Sequence, residues 1–459
     1  MKVKVTFLGA AGTVTGSKYL IESSNRKILI DCGLFQGDRE WREENWATPR
    51  FDFGDIDAVL ITHAHIDHTG LLPRYHALGL SCPVFSSHAT FELCQLLLPD
   101  SGRLQEEEAE YRRERGRSRH TPPLPLYTEQ DARSTLNLFK QINFSERTEI
   151  LPQVWATWRR TGHILGAGSI VLEIGGKKIT FSGDIGRYHV PILKDPEATE
   201  LGDLVLIEST YGDESHANID PKQALAEVIK STHARGGVMV IPSFAVGRAQ
   251  QLLYYLRELK QSSLIPDLPV IVDSPMAADA TALYAESVAD YDEQALEIVR
   301  SGKKPFHVSK LGFTRGREDS IRLNAIKEPM IIISASGMLT GGRILHHLKH
   351  RVSDQRNTIL FVGHQPNGSK GARLLQGTPR ISILGDDCPV HARIEAIGAL
   401  SAHGDQGELL RWLHSCSGTP STIAVVHGEP HTAQVFAKKL RDEQHAEVIV
   451  PTYRQQIEI

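Results

Sequence analysis

The sequence predicts an α/β protein in which a strand-rich fold is interrupted by a largely parallel α/β unit. Three observations carry that expectation. The first 210 residues hold short strands punctuated by turns; after Thr210 strand and helix alternate; from about Ala392 the chain returns to strands bearing histidine. Short apolar strands that alternate with helical periods imply parallel pairing through crossover helices.

In the first part, Lys2 to Leu8, Tyr19 to Glu22, Lys27 to Ile30, Ala58 to Ile61, Val84 to Ser86, Ile170 to Ile174, Lys178 to Phe181 and Leu204 to Ile207 read as strands. Gly175-Gly176 between two of them is a hairpin signal. Ser101 to Arg115, SGRLQEEEAEYRRER, reads as a helix charged nearly all round, hence solvated. Beyond Thr210 the rhythm is GGVMVIPSFAVGRAQQLLYYLRELK, LPVIVDSPMAADATALYAES, PMIIISASGMLTGGRILHHLKH and NTILFVGHQPNGSKGARLLQG, each a strand followed by a helix. IEAIGALSAHGD and TIAVVHGEPH restore the strand pattern, and Gln456 to Ile459 reads as a closing strand. No repeat, low-complexity tract or long linker separates these parts. The α/β block is therefore expected as an insertion, with boundaries at 1–208, 209–394 and 395–459.

A chain of 459 residues is long for one ordinary domain and suits this division. A net charge of -4 excludes a uniformly basic nucleic-acid binder, so any polyanion site must be local. Five cysteines, Cys32, Cys82, Cys94, Cys388 and Cys416, have no paired spacing, which argues against a disulfide framework or a thiolate metal site and for a reducing compartment. The opening MKVKVTFLGAAGTVTG fits a first strand and loop rather than a signal peptide. No apolar stretch approaches the roughly 18 residues of a membrane span. A cytoplasmic protein with no membrane partner is expected.

The chemistry is concentrated in THAHIDHTG, residues 62–70, directly after the apolar run Ile56 to Ile61. Imidazole and carboxylate suit zinc or another borderline divalent ion. In an extended stretch His63 and His65 project to one side and can grip one ion, while Asp67 and His68 beyond them can face a second. A lone histidine in a polar turn is usually structural; four metal-competent residues in H-x-H-x-D-H after a buried strand are a different case.

H-x-H-x-D-H resembles the signature of the metallo-β-lactamase superfamily, whose fold is an αββα sandwich of two sheets flanked by helices. The resemblance extends in order along the chain: Asp31 in ILIDCG matches the aspartate that orients the ligand loop from behind, His163 in RRTGHILGAGSI a further ligand, and Asp184 in ITFSGDIG the carboxylate shared by two metals. Glu208 in ESTYGD, His403 in GALSAHGD and His427 in AVVHGEPH, split by the α/β block, resemble the β-CASP group, which processes nucleic acids. Among its branches the subgroup of the pre-mRNA 3′-end cleavage factor subunit and its prokaryotic relatives is the nearest match. A chain without the amino-terminal KH domains of archaeal members and without the carboxy-terminal extension of RNase J is expected.

The resemblance implies two Zn2+: one held by His63, His65 and His163, the other by Asp67, His68 and His427, with Asp184 shared. Two ions together stabilise attacking and leaving oxygens of an in-line displacement and lower the pKa of water from about 15.7 towards 7. His403 is the expected proton donor to the ribose 3′ oxygen, with Glu208 keeping it charged. Hydrolysis would leave a 5′ phosphate and a 3′ hydroxyl. SASGMLTGG follows a strand and opens a helix, a geometry that presents donors to an anion; the resemblance turns Ser334, Ser336 and Gly337 towards phosphate. Arg248, Lys370 and Arg373 on analogous connections would line the same cleft. His364 stands where relatives commonly carry an aromatic residue and is not counted as a ligand.

The expected activity is thus that of a zinc-dependent ribonuclease acting on single-stranded RNA, endonucleolytic, with 5′ exonuclease activity and a homodimer both left open. Retention of His427 favours RNA over DNA. The alternatives are a thioesterase or lactonase using the same metal pair, or a non-catalytic RNA-binding scaffold.

Overall fold

The computed structural model describes residues 2–23, 26–49, 51–114, 123–216, 219–363, 365 and 368–459. Arg115 and His364, singled out above, lie outside the described residues. The chain divides into two compact units, one of Met1–His189, Asp195–Ser215 and His403–Ile459, the other of Val190–Lys194 and His216–Ala402.

The first unit is a sandwich of two seven-stranded sheets. One runs Gln456–Glu458, Val3–Phe7, Tyr19–Ser23, Arg26–Ile30, Ala58–Leu60, Val84–Ser87, Phe139–Ile142; the other runs Glu447–Ile449, Thr422–Val426, Leu204–Glu208, Lys177–Phe181, Gly168–Ile174, Val154–Arg160, Thr148–Leu151. Side chains alternate across a strand, and Leu204–Glu208 makes the consequence visible. Leu204 and Leu206 enter the core shared with Val5, Phe7, Ile21 and Ile28 of the facing sheet. Val205 and Ile207 point the other way, onto Leu409 and Trp412 of the helix Gln406–Ser415 and Phe436 of Pro430–Glu443. Gly175 and Gly176 join two antiparallel strands at φ 60° and 79°, the left-handed region a tight hairpin requires.

Four strands absent from the sequence reading, Phe139–Ile142, Thr148–Leu151, Val154–Arg160 and Glu447–Ile449, complete these sheets. The charged helix is also longer than expected, His88–Glu114, and is not solvated all round. Pro99 interrupts its periodicity in sequence yet lies buried inside it, and Leu93, Cys94, Leu97 and Leu98 form its inner face. At Gly102 a Cβ would come within 2.7 Å of the backbone at Thr128 and Glu129, so the helix presses directly on the start of Glu129–Thr135.

The second unit holds a six-stranded parallel sheet ordered Leu311–Phe313, Val270–Asp273, Ile331–Ser334, Met239–Pro242, Thr358–Phe361, Arg393–Ala396. Val240, Ile332, Ile359 and Phe361 pack with Ile344 and Leu348 of the helix Arg343–Arg351. No helix among the described residues is long and apolar enough to cross a membrane.

Candidate metal centre

The wholly buried strand Ala58–Leu60 delivers Thr62 and His63 to the sheet end. The chain then winds into a single helical turn, Ile66–Thr69, closed by the His68 and Thr69 amides on the His65 carbonyl. That turn carries Asp67 and His68. Gly33 fits beneath it because a Cβ there would lie 1.6 Å from the Asp67 carbonyl oxygen. Asp31 accepts from the Thr62 amide at 2.8 Å and from the His68 Nδ1 at 2.7 Å. A carboxylate on Nδ1 fixes the ring and leaves its Nε2 lone pair facing inward.

Seven side chains converge here, all from the first unit. His63 Nε2 and His163 Nε2 lie 3.1 and 3.2 Å from His65 Nδ1, and 3.4 and 3.5 Å from Asp184 Oδ2. On the other side His68 Nε2 is 3.2 Å from His427 Nε2, which is 3.5 Å from Asp67 Oδ2. Asp184 Oδ1 faces this second set, 3.3 Å from His68 Nε2 and 3.7 Å from His427 Nε2. One carboxylate thus addresses both sets. A third grouping, Asp184, Glu208 and His427, overlaps them, but both Glu208 oxygens already accept hydrogen bonds.

The donor set fits divalent cations. Zinc bonds of about 2.0–2.1 Å in a tetrahedral site place ligand atoms about 3.3–3.4 Å apart, close to the separations above. His427 Nδ1 lies 3.1 Å from the Thr210 hydroxyl, which itself donates to Glu208 Oε2 at 2.7 Å. With both Nδ1 atoms engaged, the Nε2 atoms of His68 and His427 meet as lone pairs unless a cation lies between them. Asp184 Oδ1 is buried and accepts no hydrogen bond. Burial, with neighbouring imidazoles, lowers the pKa of His63 and His163 and takes that of His65 to about 3, so these rings are neutral and ready to ligate. Burial also opposes charge on His68 and His427, but Asp184 and the carboxylates beside them raise both. Protons there occupy the place of a metal and must leave when one binds.

Glu208, fully buried at the end of its strand, accepts from the Ile185 amide at 2.6 Å and meets His403 Nδ1 at 3.1 Å. Residues Gly186 and His403 form an antiparallel bridge that brings His403 to the cluster, its Nε2 4.0 Å from Asp184 Oδ2. Burial pulls the pKa of His403 down, but the charge and hydrogen bond of Glu208, together with the charges of Asp184 and Asp67, outweigh it and raise it to about 9.

The residues expected to touch phosphate lie in the second unit, on connections at the carboxyl ends of its strands. Three of them, Arg248, Ser334 and Gly337, are buried. Arg248 turns onto Gln251, and the Ser334 hydroxyl donates to the Asp273 carbonyl at 3.0 Å. Ser336 pairs with the Thr340 hydroxyl at 3.0 Å, and the Gly337 carbonyl accepts from Gln365 at 3.0 Å. Lys370 opens the helix Lys370–Leu375, on which Arg373 is exposed. Thr62 and Thr210, which join the imidazoles to Asp31 and Glu208, escaped the sequence reading. Their position beside His63 and two residues after Glu208 was the available signal.

A two-sheet sandwich with a histidine and aspartate cluster at its strand ends, interrupted by a parallel α/β unit, defines a metallo-hydrolase of the metallo-β-lactamase fold. Residues 26–240 match the Beta-lactamase superfamily domain, 249–374 the Beta-Casp domain, and 387–451 the Zn-dependent metallo-hydrolase RNA specificity domain. The chain belongs to the β-CASP group of this superfamily, a family of hydrolytic nucleases. It is 36% identical over 439 residues to Ribonuclease TTHA0252 of Thermus thermophilus, covering 95% of this chain and 96% of that protein. It is 30% identical over 442 residues to the RNase J-like protein of Methanocaldococcus jannaschii, covering 95% and 94%. Transcription termination factor FttA of the same organism is 30% identical over 458 residues, covering 96% of this chain and 69% of that one. A crystal structure of a protein of unknown function from Enterococcus faecalis aligns over 100% of both chains with a TM-score of 0.53 and 13% identity, a likeness of fold alone.

Proposed function

We propose that the chain is a two-zinc ribonuclease that hydrolyses single-stranded RNA to 5′ phosphate and 3′ hydroxyl ends. The observation that carries this reading is Asp184, whose two oxygens face two separate three-residue ligand sets while His403 Nε2 stands 4.0 Å from one of them. The match to an RNA specificity domain and the ribonuclease relatives support RNA as substrate. Five unpaired cysteines agree with a cytoplasmic setting.

His63, His65 and His163 would hold one ion, Asp67, His68 and His427 the other, and Asp184 both. When bound, the pair supplies Lewis-acid chemistry, lowering the pKa of water and neutralising phosphate charge. Asp31 and Thr62 hold the imidazole of His68 in register, and Glu208 orients His403 and keeps its ring protonated. His403 then delivers the Nε2 proton to the departing 3′ oxygen, a poor leaving group without it.

Metal analysis of the purified protein, paired with end-mapping of products from a long single-stranded RNA, tests the reading. Asp184→Asn is expected to lose metal and cleavage together, and His403→Ala to keep metal while cleaving slowly. Hydrolysis of thioesters but not RNA would replace this function with the thioesterase alternative, and a metal-free, inactive preparation would point to a scaffold.

A further inference from the structure

In an open parallel sheet, ligands bind beyond the carboxyl ends of the strands, where successive connections diverge. In the second unit one such place lies between the adjacent strands Met239–Pro242 and Thr358–Phe361. The chain leaves the first of these towards Val270–Asp273 and the second towards Arg393–Ala396, in opposite directions away from each other along the sheet.

Phe244 stands there. It follows Met239–Pro242 by two residues and exposes 40% of its surface. It lies against the neighbouring connection, since a Cβ at Gly337 would come within 3.0 Å of the ring and 3.1 Å of the Phe244 nitrogen. At Gly363, just beyond Thr358–Phe361, a Cβ would meet the same ring at 4.0 Å. A side chain at Gly337 would press on the ring, and one at Gly363 would touch it. A solitary exposed phenylalanine needs no explanation elsewhere on a surface; one set at the divergence point of a parallel sheet occupies the ligand position.

The surrounding groups indicate which ligand. The Ser336 and Thr340 hydroxyls lie on the connection that follows Ile331–Ser334, and Lys370 and Arg373 lie on the helix after Thr358–Phe361. An aromatic face for a base beside hydroxyl and cationic donors for phosphate is the combination that holds unpaired nucleotides. Arg248, four residues further along the same connection, is buried. The connection therefore offers an aromatic ring rather than a cation.

We propose that Phe244 is a base-stacking residue for the single-stranded RNA substrate. This rests on the ribonuclease reading above. Stacking on an aromatic ring contributes about 1–3 kcal/mol per base, so Phe244→Ala and Phe244→Leu are both expected to weaken binding of a fluorescein-labelled single-stranded RNA about tenfold. The full chain would be used, with chelator present to prevent cleavage. Phe244→Trp restores binding, and in cleavage assays the loss falls on KM more than on kcat. Leucine keeps the apolar bulk, so a Phe244→Leu protein that melts with the parent but binds as tightly as it overturns the proposal. A parent chain that neither binds nor cleaves RNA overturns the ribonuclease reading and the stacking role together.

Discussion

Replacing Glu208 with glutamine removes the charge that holds His403 protonated while keeping the side chain's shape. In the folded protein the His403 pKa rises from 6.5 to about 9 against the pull of burial. At pH 8 a group of pKa about 9 is about nine-tenths protonated, whereas one at about 6.5 is about 3% protonated, a ratio of about thirty. Without Glu208, burial lowers the ring's pKa while Asp184 and Asp67 still raise it, opposing pulls that leave it below the value Glu208 sustains. A proton donor acts only in its protonated form, so the rate falls as pH rises past its pKa. Glu208→Gln is therefore expected to cleave RNA about 30-fold more slowly than the parent at pH 8 and less than about twofold more slowly at pH 6. Bound cations lower the His403 pKa in both proteins, so the separation of the two pH-rate profiles carries the test. Initial rates on a fluorogenic single-stranded RNA, with zinc content measured on the same samples, provide the assay. The glutamine amide meets the Ile185 amide that Glu208 now accepts, so a thermal melt must accompany the kinetics. A loss equal at both pH values, with zinc retained, would refute the assignment of Glu208 as the group that charges His403.

Other outcomes follow from the same geometry. Asp31→Asn leaves the ligands in place but weakens the hold on His68 Nδ1, so metal affinity should fall about 10–100-fold in a competition titration; unchanged affinity removes its orienting role. Gly33→Ala forces a methyl group to 1.6 Å from the Asp67 carbonyl, and the displaced turn should lower thermal stability by about 1–3 kcal/mol and weaken metal binding as well. Lys18 is buried and its pKa falls to about 8, because burial opposes its charge. Between about pH 8 and 10.5 the unfolded chain keeps a proton that the folded chain has lost, so folding stability from this group rises with pH by about 3 kcal/mol. Urea titrations of the parent and Lys18→Met across that range should diverge by that amount, and parallel curves would contradict it.

What the sequence disclosed depended on periodicity and spacing. The ligand loop was legible because four metal-competent residues follow one buried strand, and the insertion because its strand-helix rhythm differs from the flanks. Phe139–Ile142 and Thr148–Leu151 are sheet edges too short to give a pattern. Val154–Arg160 does alternate, with Val154, Ala156 and Trp158 buried, but its closing arginines obscure it. Helix His88–Glu114 was truncated because Pro99 reads locally as a stop, while the packing that retains it is tertiary. Arg248 and Ser334 carry polar groups that suit an anion, yet burial decides what a polar group can reach, and burial is set by neighbours distant in the chain.

Thr210 gives its hydroxyl proton to Glu208 and receives His427 Nδ1. A single oxygen therefore wires the proton-donating pair to one of the cation cradles. A cation held in that cradle would polarise the His427 ring, tighten its grip on the hydroxyl and alter the charge felt by Glu208. The catalytic acid would thus sense whether its cations are aboard, and nuclear magnetic resonance of the His403 ring during stepwise zinc addition would register this crosstalk.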